Sequence, residues 1–147
     1  MNIKKLLVLS ILVLILSIQK CYAAEWKEVS YKTYIDTSSV RMKQSENSDT
    51  YIIYWVKSLN NGRKWTKDLE KKYKTKLWFV LEQVAINENQ KTFIIISSTS
   101  YDLYGESIDG YDNDINNRFL EWDKIPPETK IEEEYNFLEN FLHRYRY

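Results

Sequence analysis

The chain has 147 residues, and its 21 basic and 21 acidic residues give a formal net charge of zero. This balance provides no general attraction to nucleic acid, so we expect no nucleic-acid partner. The sequence contains one cysteine, Cys21, and one histidine, His143. Loss of the N-terminus would remove the single thiol and with it any thiol catalysis. The single histidine excludes most histidine-based triads and zinc sites.

The first 23 residues have the pattern of a secretory signal peptide. Basic residues at Lys4 and Lys5 precede an apolar run over 6–18, and Ala23 offers a small residue for cleavage. The run is shorter than the roughly 20 residues that a membrane-spanning helix needs. We therefore predict an exported protein with no stable membrane anchor, found in the periplasm, at the cell surface or outside the cell. Cleavage after Ala23 would leave one domain over 24–147.

Cys21 raises the alternative of a lipoprotein whose first mature residue is an acylated cysteine. Bacterial lipoprotein signals usually carry small residues before that cysteine, whereas Lys20 precedes it here. Cleavage after Ala23 is therefore the preferred prediction. It leaves a chain without cysteine and with a net charge of −3, because three lysines leave with the signal. Such a domain must be held together by packing rather than by disulfides.

The first half of the mature chain indicates a sheet. Short strands are predicted over 25–29 and 33–36, and a polar loop over 41–49. Residues 50–58 (TYIIYWVKS) are the clearest strand, because they are dense in β-branched and aromatic residues. Asn60-Asn61-Gly62 then predicts a turn.

Residues 66–87 fit two structures, since apolar residues recur at helical spacing while 77–86 (LWFVLEQVAI) is also a plausible buried strand. We favour a short helix at about 66–74 followed by a strand. Residues 92–100 (TFIIISSTS) predict another strand, because β-branched residues disfavour a helix. A short strand over 106–108 and a polar loop over 109–117 complete this region.

The sequence predicts a C-terminal helix. Thr129 and Glu132 have the spacing of a capping box. One helical stripe collects the apolar residues Ile131, Tyr135, Leu138, Phe141, Leu142 and Tyr145. His143 lies at the charged end of this helix, where a solvated side chain is expected. The chain therefore predicts an α+β fold, an antiparallel β-sheet with the C-terminal helix packed on one face.

Metal and catalytic sites are weakly indicated. Asp112, Asp114 and Asn116 have the alternating oxygen ligands of a calcium loop, but Asn117 occupies the position of the glycine that such a loop needs. We therefore expect no metal site and no cofactor. The serines over 97–100 have no base in a recognisable motif, and no carboxylate pair stands out among the acids. The sequence thus favours a protein that is not an enzyme.

The basic stretch over 63–76 alternates lysines with apolar residues. It is either the solvated face of an amphipathic helix or an electrostatic patch for a polyanion such as a glycosaminoglycan. Tyrosine and tryptophan are also common where proteins bind one another. The predicted binding residues for a protein partner are Trp65, Tyr73, Lys71 and Lys72.

Three short sequence phrases, which occur in a fixed order, carry a resemblance to a known protein family across most of the mature chain. They are Trp26 with YIDTSSV at 34–40, then Tyr101-Asp102 followed by Gly105, then Trp122 with Ile125-Pro126-Pro127. This order resembles the surface-adhesin protein E family, small exported proteins of Gram-negative bacteria. Each phrase also has a structural interpretation: 36–39 as a turn, Trp122 as a core anchor and the two prolines as the approach to a helix.

The resemblance implies an antiparallel sheet with a packed C-terminal helix, no enzymatic activity, and binding of host extracellular-matrix or plasma proteins. The chain departs from the adhesin in lacking a lipid-modification signal and mature cysteines. The alternative is therefore a periplasmic protein that supports the envelope or binds a small ligand between sheet and helix. Exposed edge strands also favour pairing with a second copy, as a homodimer.

Overall fold

The structure is a computed structural model that describes residues 23–45, 48–115 and 120–145. The predicted signal peptide lies outside these residues, apart from Ala23. Within the described ranges, no helix is both long enough and apolar enough to cross a membrane.

Seven antiparallel strands and two helices make up the described fold. The strands are β1 (Trp26–Ser30), β2 (Thr33–Gln44), β3 (Thr50–Leu59), β4 (Leu77–Asn87), β5 (Thr92–Asp102), β6 (Ser107–Asp112) and β7 (Asp123–Lys124). The helices are α1 (Lys64–Tyr73) and α2 (Lys130–Tyr145). Strands β1 to β6 lie side by side in chain order, and β7 pairs with β5. This architecture confirms the α+β prediction, including the short helix near 66–74 and the strand after it.

Two predicted loops are partly strand. Residues 41–44 continue β2 and pair with Thr50–Ile53 of β3, so the prediction of a loop there is wrong. Residues 109–112 belong to β6 and pair with β5, so the second loop begins later than predicted. In both places the neighbouring strand supplies the backbone hydrogen bonds, and polar side chains remain exposed. Local composition does not reveal such pairing.

The phrase at 36–39 forms an irregularity inside β2 rather than a turn between strands. The register between β2 and β3 shifts between Asp36 and Arg41. Asp36 Oδ1 accepts hydrogen bonds from the Ser38 backbone N–H at 3.0 Å and from the Glu25 backbone N–H at 2.8 Å. The Ser39 hydroxyl accepts one from the Trp55 backbone N–H at 2.9 Å. The local side-chain bonds expected of a turn are therefore present, and they hold a bulge.

The main core lies between α2 and one face of the sheet, as predicted. The buried members of this cluster are Ile35, Ile52, Tyr54, Val56, Val84, Ile86, Tyr135 and Leu138. The strand members alternate along β3 and β4, as one face of a pleated sheet requires, and Ile35 of β2 pairs with Val56 on the same face. The helix members Tyr135 and Leu138 are three residues apart on one side of α2. Periodicity along the sequence was sufficient to predict this packing.

The start of α2 differs from the predicted capping box. The Thr129 hydroxyl donates to the Pro126 carbonyl at 2.7 Å. The Glu132 carboxylate accepts from the Glu128 backbone N–H at 2.7 Å, one residue earlier than a capping box requires. The prolines do lead into the helix, but Thr129 closes the preceding turn instead of reaching forward.

A smaller cluster covers part of the opposite sheet face. Ala85, Ile94 and Ile96 are buried there against the segment that precedes β7. Trp122 packs on this cluster and stacks on Tyr51 with ring centroids 5.3 Å apart. Its predicted role as a core anchor is therefore confirmed.

Candidate functional site

Helix α1 presents the four predicted binding residues, but it divides them between two sides. Trp65 is 45% exposed, and Lys71 and Lys72 are exposed on the same helix. Consecutive helical residues are about 100° apart, so Lys71 and Lys72 face different directions. The Lys72 Nζ lies 4.5 Å from the centroid of the half-buried Tyr73 ring, and a side-chain hydrogen bond with Tyr73 raises the pKa of Lys72. The structure thus groups Lys72 with Tyr73 and separates Lys71 from them.

Lys71 belongs to a basic surface at the end of the sheet where β4 begins and β5 ends. We call this the lysine surface; it comprises Lys67, Glu70, Lys71, Lys74, Thr75, Lys76, Leu103 and Tyr104. Leu103 is 58% exposed and Tyr104 is 89% exposed. Two protruding apolar side chains are therefore surrounded by four positive charges.

A well-bonded turn holds Leu103 and Tyr104 in place. The buried Asp102 accepts hydrogen bonds through Oδ1 from the backbone N–H groups of Tyr104 at 2.8 Å and Glu106 at 3.0 Å. Gly105 follows with a φ of 82°, a conformation that glycine adopts without strain. The exposure of the two side chains is thus fixed by the backbone of the β5–β6 turn.

Most of the positive charge of the lysine surface is not neutralised. Lys76 Nζ lies 3.8 Å from Glu70 Oε2, and the exposed lysine and long distance give this pair a small energetic value. Across the ranges that the structure describes, no ion pair joins Lys67, Lys71 or Lys74 to a carboxylate. The surface therefore retains a positive potential that favours acidic partners.

On its other side, α1 forms a groove with the sheet. We call this the aromatic groove; it is lined by Trp65, Leu69, Val80, Glu82, Ser98, Ser100, Asp109, Gly110 and Tyr111. Its volume is about 300 Å³, and Tyr111 is 51% exposed at its rim. Val80 and Glu82 lie on the same sheet face as the α2 core, so both helices cover one face.

Glu82 is the most unusual side chain in the aromatic groove. Burial raises the pKa of its carboxyl group, while the positive charge of Lys130 opposes part of that rise. Burial also raises the pKa of Tyr111, and the nearby charge of Glu82 adds to the effect. No hydrogen-bond donor among the described residues reaches the Glu82 carboxylate. The groove thus contains a carboxylate that accepts no hydrogen bond from the residues lining it.

A polar cluster separates the aromatic groove from the α2 core. The Tyr54 hydroxyl donates to Glu134 Oε2 at 2.7 Å, and Lys130 Nζ lies 3.6 Å from Glu134 Oε1. Lys130 Nζ also donates to the Ser58 hydroxyl. Burial raises the pKa of Glu134 despite these partners. The cluster borders a polar cleft of about 510 Å³ between the N-terminal ends of the two helices.

The candidate calcium residues, where the sequence predicts no metal site, lie only partly within the described chain. Asp112 ends strand β6, Asp114 follows it, and Asn116 lies outside the described residues. In the described part of the chain, no three side chains of the histidine, cysteine, aspartate and glutamate types come close enough to hold a metal. His143 is exposed in the last turn of α2, where the sequence placed it.

Several residues of these surfaces escaped sequence reasoning. The sequence around Leu103 and Tyr104 predicts only a turn, so it does not indicate that these two side chains protrude. Glu82 carried a usable signal, since it is an isolated acid in the apolar run 77–86. Tyr111 fell within a predicted loop, which hid its place on the sheet.

No known protein family, no curated protein and no solved structure matches this chain.

Proposed function

We propose that the protein is an exported, non-enzymatic binding protein, similar to the surface-adhesin protein E family, which holds a protein partner at the lysine surface. A host extracellular-matrix or plasma protein is the partner class that the resemblance implies. The observation that carries the proposal is the combination of four lysines with the protruding Leu103 and Tyr104.

Charged and apolar groups contribute differently to such an interface. The lysines would steer an acidic segment and fix its orientation, since electrostatic complementarity acts mainly on association rate and specificity. Leu103 and Tyr104 would supply buried apolar area, and a tyrosine at the centre of an interface often contributes most of the binding energy. An acidic protein segment with at least one apolar side chain is therefore the best complement to this surface.

The second candidate is a periplasmic protein that supports the envelope or binds a small ligand. The polar cleft of about 510 Å³ favours this alternative, because a small molecule could enter it. Against it, the sheet–helix core is filled by residues such as Tyr54 and Leu138, both without solvent exposure. A filled core with exposed aromatic side chains supports the binding of a macromolecule better than an apolar ligand cavity.

A homodimer remains part of the proposal through the sheet edges. Strands β1 and β6 are the outer members of the ordered sheet, and each has one side without a neighbouring strand in the described fold. Light scattering on the purified protein tests this directly. A mass of two chains supports edge pairing, whereas a monomer at all concentrations removes it.

Two adjacent lysines of α1 allow a matched test of the binding surface. Lys71→Glu and Lys72→Glu make the same charge change on one helix, but only Lys71 belongs to the lysine surface. We expect Lys71→Glu to weaken capture on immobilised matrix proteins roughly tenfold, and Lys72→Glu to have a much smaller effect. Equal binding by wild type and Lys71→Glu would remove the lysine surface from the proposal.

The location of the protein in its host tests the adhesin part separately. An antibody against the protein should label intact cells if the partner is a matrix protein. Labelling only after the outer membrane is opened would support the periplasmic alternative and exclude adhesion.

A further inference from the structure

We propose that the aromatic groove binds an organic cation, an alkylammonium or guanidinium group, between Trp65 and Tyr111 and above Glu82. This site is distinct from the lysine surface, and the inference does not depend on a matrix partner. It follows from the arrangement of aromatic rings, carboxylates and internal cations around the groove.

The register of the sheet sets the floor of the groove. Glu82 of β4 pairs with Ser98 of β5, which pairs with Tyr111 of β6. Neighbouring strands lie about 4.8 Å apart, so this row brings an acid, a hydroxyl and a phenol ring within reach of one small group. The adjacent row ends on Asp109, which pairs with Ser100.

Helix α1 provides the opposite wall. Trp65 and Leu69 are one helical turn apart and both line the groove. Trp65 and Tyr111 are each about half exposed, so their rings can be reached from solvent. The face of an aromatic ring attracts a cation, and tryptophan attracts it most strongly. Two such rings beside a carboxylate form a suitable setting for an ammonium or guanidinium group.

No cation is among the residues that line the aromatic groove. Arg63 and Lys130 line the adjoining polar cleft, which shares Trp65, Val80 and Glu82 with the groove. The charge of Lys72 acts on Asp109 from outside the groove. Lys130 interacts with Glu134 and with the Ser58 hydroxyl. Lys72 lies over the Tyr73 ring and is not among the residues that line the groove. The partly buried Glu82 therefore has no direct cationic partner in the described chain, and a guest cation would supply one.

The volume limits the ligand to a small group. Pockets that hold drug-sized molecules begin near 300 Å³, which is about the volume of this groove. The groove therefore suits a choline-sized molecule, or the end of a lysine or arginine side chain. These two sources share one chemistry, and the probes below distinguish them.

Nuclear magnetic resonance of the purified protein tests the site. The indole N–H signal of Trp65 is assigned by its loss in Trp65→Phe, and it is followed during titration with choline. The neutral isostere 3,3-dimethyl-1-butanol is the control ligand. N-acetyl-lysine and N-acetyl-arginine amides are the further probes. We expect at least one cation to shift the Trp65 signal saturably, and the neutral alcohol to leave it unchanged.

Matched charge variants test the role of Glu82. Glu82→Gln is expected to weaken the binding of the best cation at least about fivefold, whereas Glu28→Gln, which removes the same charge from β1, is expected to have no effect. Asp109→Asn serves as a second groove variant, and the spectra show whether each variant is folded. Tightest binding of choline indicates a small-molecule ligand, and tightest binding of an amino-acid amide indicates a partner side chain.

Three results would overturn the proposal. The first is an equal shift with choline and with the neutral alcohol, which would indicate apolar binding. The second is an equal loss of affinity in Glu82→Gln and Glu28→Gln. The third is the absence of a saturable shift with any of the cations.

Discussion

Helices α1 and α2 cover the same face of one sheet, yet the space beneath them is built differently. Under α2, Tyr135 and Leu138 are buried in the main core. Along α1, the fully buried residue is Thr66, and the groove beside it contains carboxylates and hydroxyls. The difference separates the half of the molecule that stabilises the fold from the half to which we assign binding as a proposal.

The sequences of the two helices explain this division. α2 has 16 residues, with Glu132 and Glu133 in its first turn and His143 and Arg144 in its last, a distribution that complements the helix dipole. α1 has 10 residues and no acid in its first turn. Its intrinsic stability is therefore lower.

The ends of α1 add to this weakness. The N-terminal cap, Arg63, makes no side-chain capping bond. The C-terminal cap, Lys74, adopts a φ of 55°, a left-handed conformation that is unfavourable for any residue with a Cβ. Neither end thus provides the stabilisation that a capping side chain or a glycine would supply.

The largest expected effect is the removal of a buried side chain under α2. Leu138→Ala should lower the free energy of unfolding by about 2–5 kcal/mol, because Leu138 has no solvent exposure and its loss leaves a cavity. The matched change in α1, Leu69→Ala, should cost less than about 1 kcal/mol, since Leu69 borders an open groove. Urea unfolding measures both values, and similar losses would contradict the division.

Loss of one buried phenol should have the next largest effect. Tyr54→Phe removes the hydroxyl that donates to Glu134 at 2.7 Å and leaves the buried carboxyl with fewer partners. We expect a loss of about 1–3 kcal/mol. The control Tyr111→Phe alters a half-exposed phenol and should change stability by less than about 0.5 kcal/mol. Urea midpoints of the two variants decide the comparison, which fails if Tyr111→Phe is the more destabilising.

The pH dependence of stability should report on Glu134. Because burial raises the pKa of Glu134, the folded chain keeps a proton that the unfolded chain has already released. The free energy of unfolding should therefore fall as pH rises from the ordinary glutamate pKa to the raised one, and level off above it. Denaturation curves between about pH 4 and about pH 8 measure this fall.

Glu134→Gln provides the control for this measurement, because it removes the titrating group and keeps an acceptor for Tyr54. Glu82 also has a raised pKa and remains in both proteins. The difference between wild type and variant therefore reports Glu134 together with the part of the Glu82 titration that depends on the Glu134 charge. Curves that stay parallel across the whole pH range would show that Glu134 titrates normally.

The smallest expected effect concerns the end of α1. Lys74→Gly removes the strain of a Cβ at a positive φ, and should stabilise α1 by up to about 1 kcal/mol. Amide exchange within residues 64–73 should slow, while exchange in α2 should remain unchanged. Faster exchange in α1 would indicate that Lys74 contributes more through its side chain than it costs through its backbone.

The sequence predicted the parts of the fold that have a distinctive composition or periodicity. A dense run of β-branched and aromatic residues identified β3, and the apolar stripe identified α2 together with the face that it buries. Residues 41–44 form a strand only because they pair with β3. Their own polar sequence does not indicate this pairing, so it predicts a loop. The bulge at Asp36 was hidden for the same reason.

The candidate sites could be predicted less well. Composition pointed to Lys71 and Lys72 together, although the helical phase separates them by about 100°. Using that phase requires knowing which side of α1 faces the sheet. Tyr104 joins the lysine surface only through turn geometry, which no local pattern of residues expresses. The apolar run 77–86 marks Glu82 as an unusual acid, but only strand register places it in the aromatic groove.

Native-state amide hydrogen exchange tests the division between the two helices most directly. It gives an opening free energy for each amide, and regions of low stability open without global unfolding. We predict that amides around Leu138 exchange only by global unfolding, and that those of α1 open at least about 2 kcal/mol more easily. Equal opening free energies in the two helices would contradict the account, because the half assigned to binding would then be as firmly held as the core.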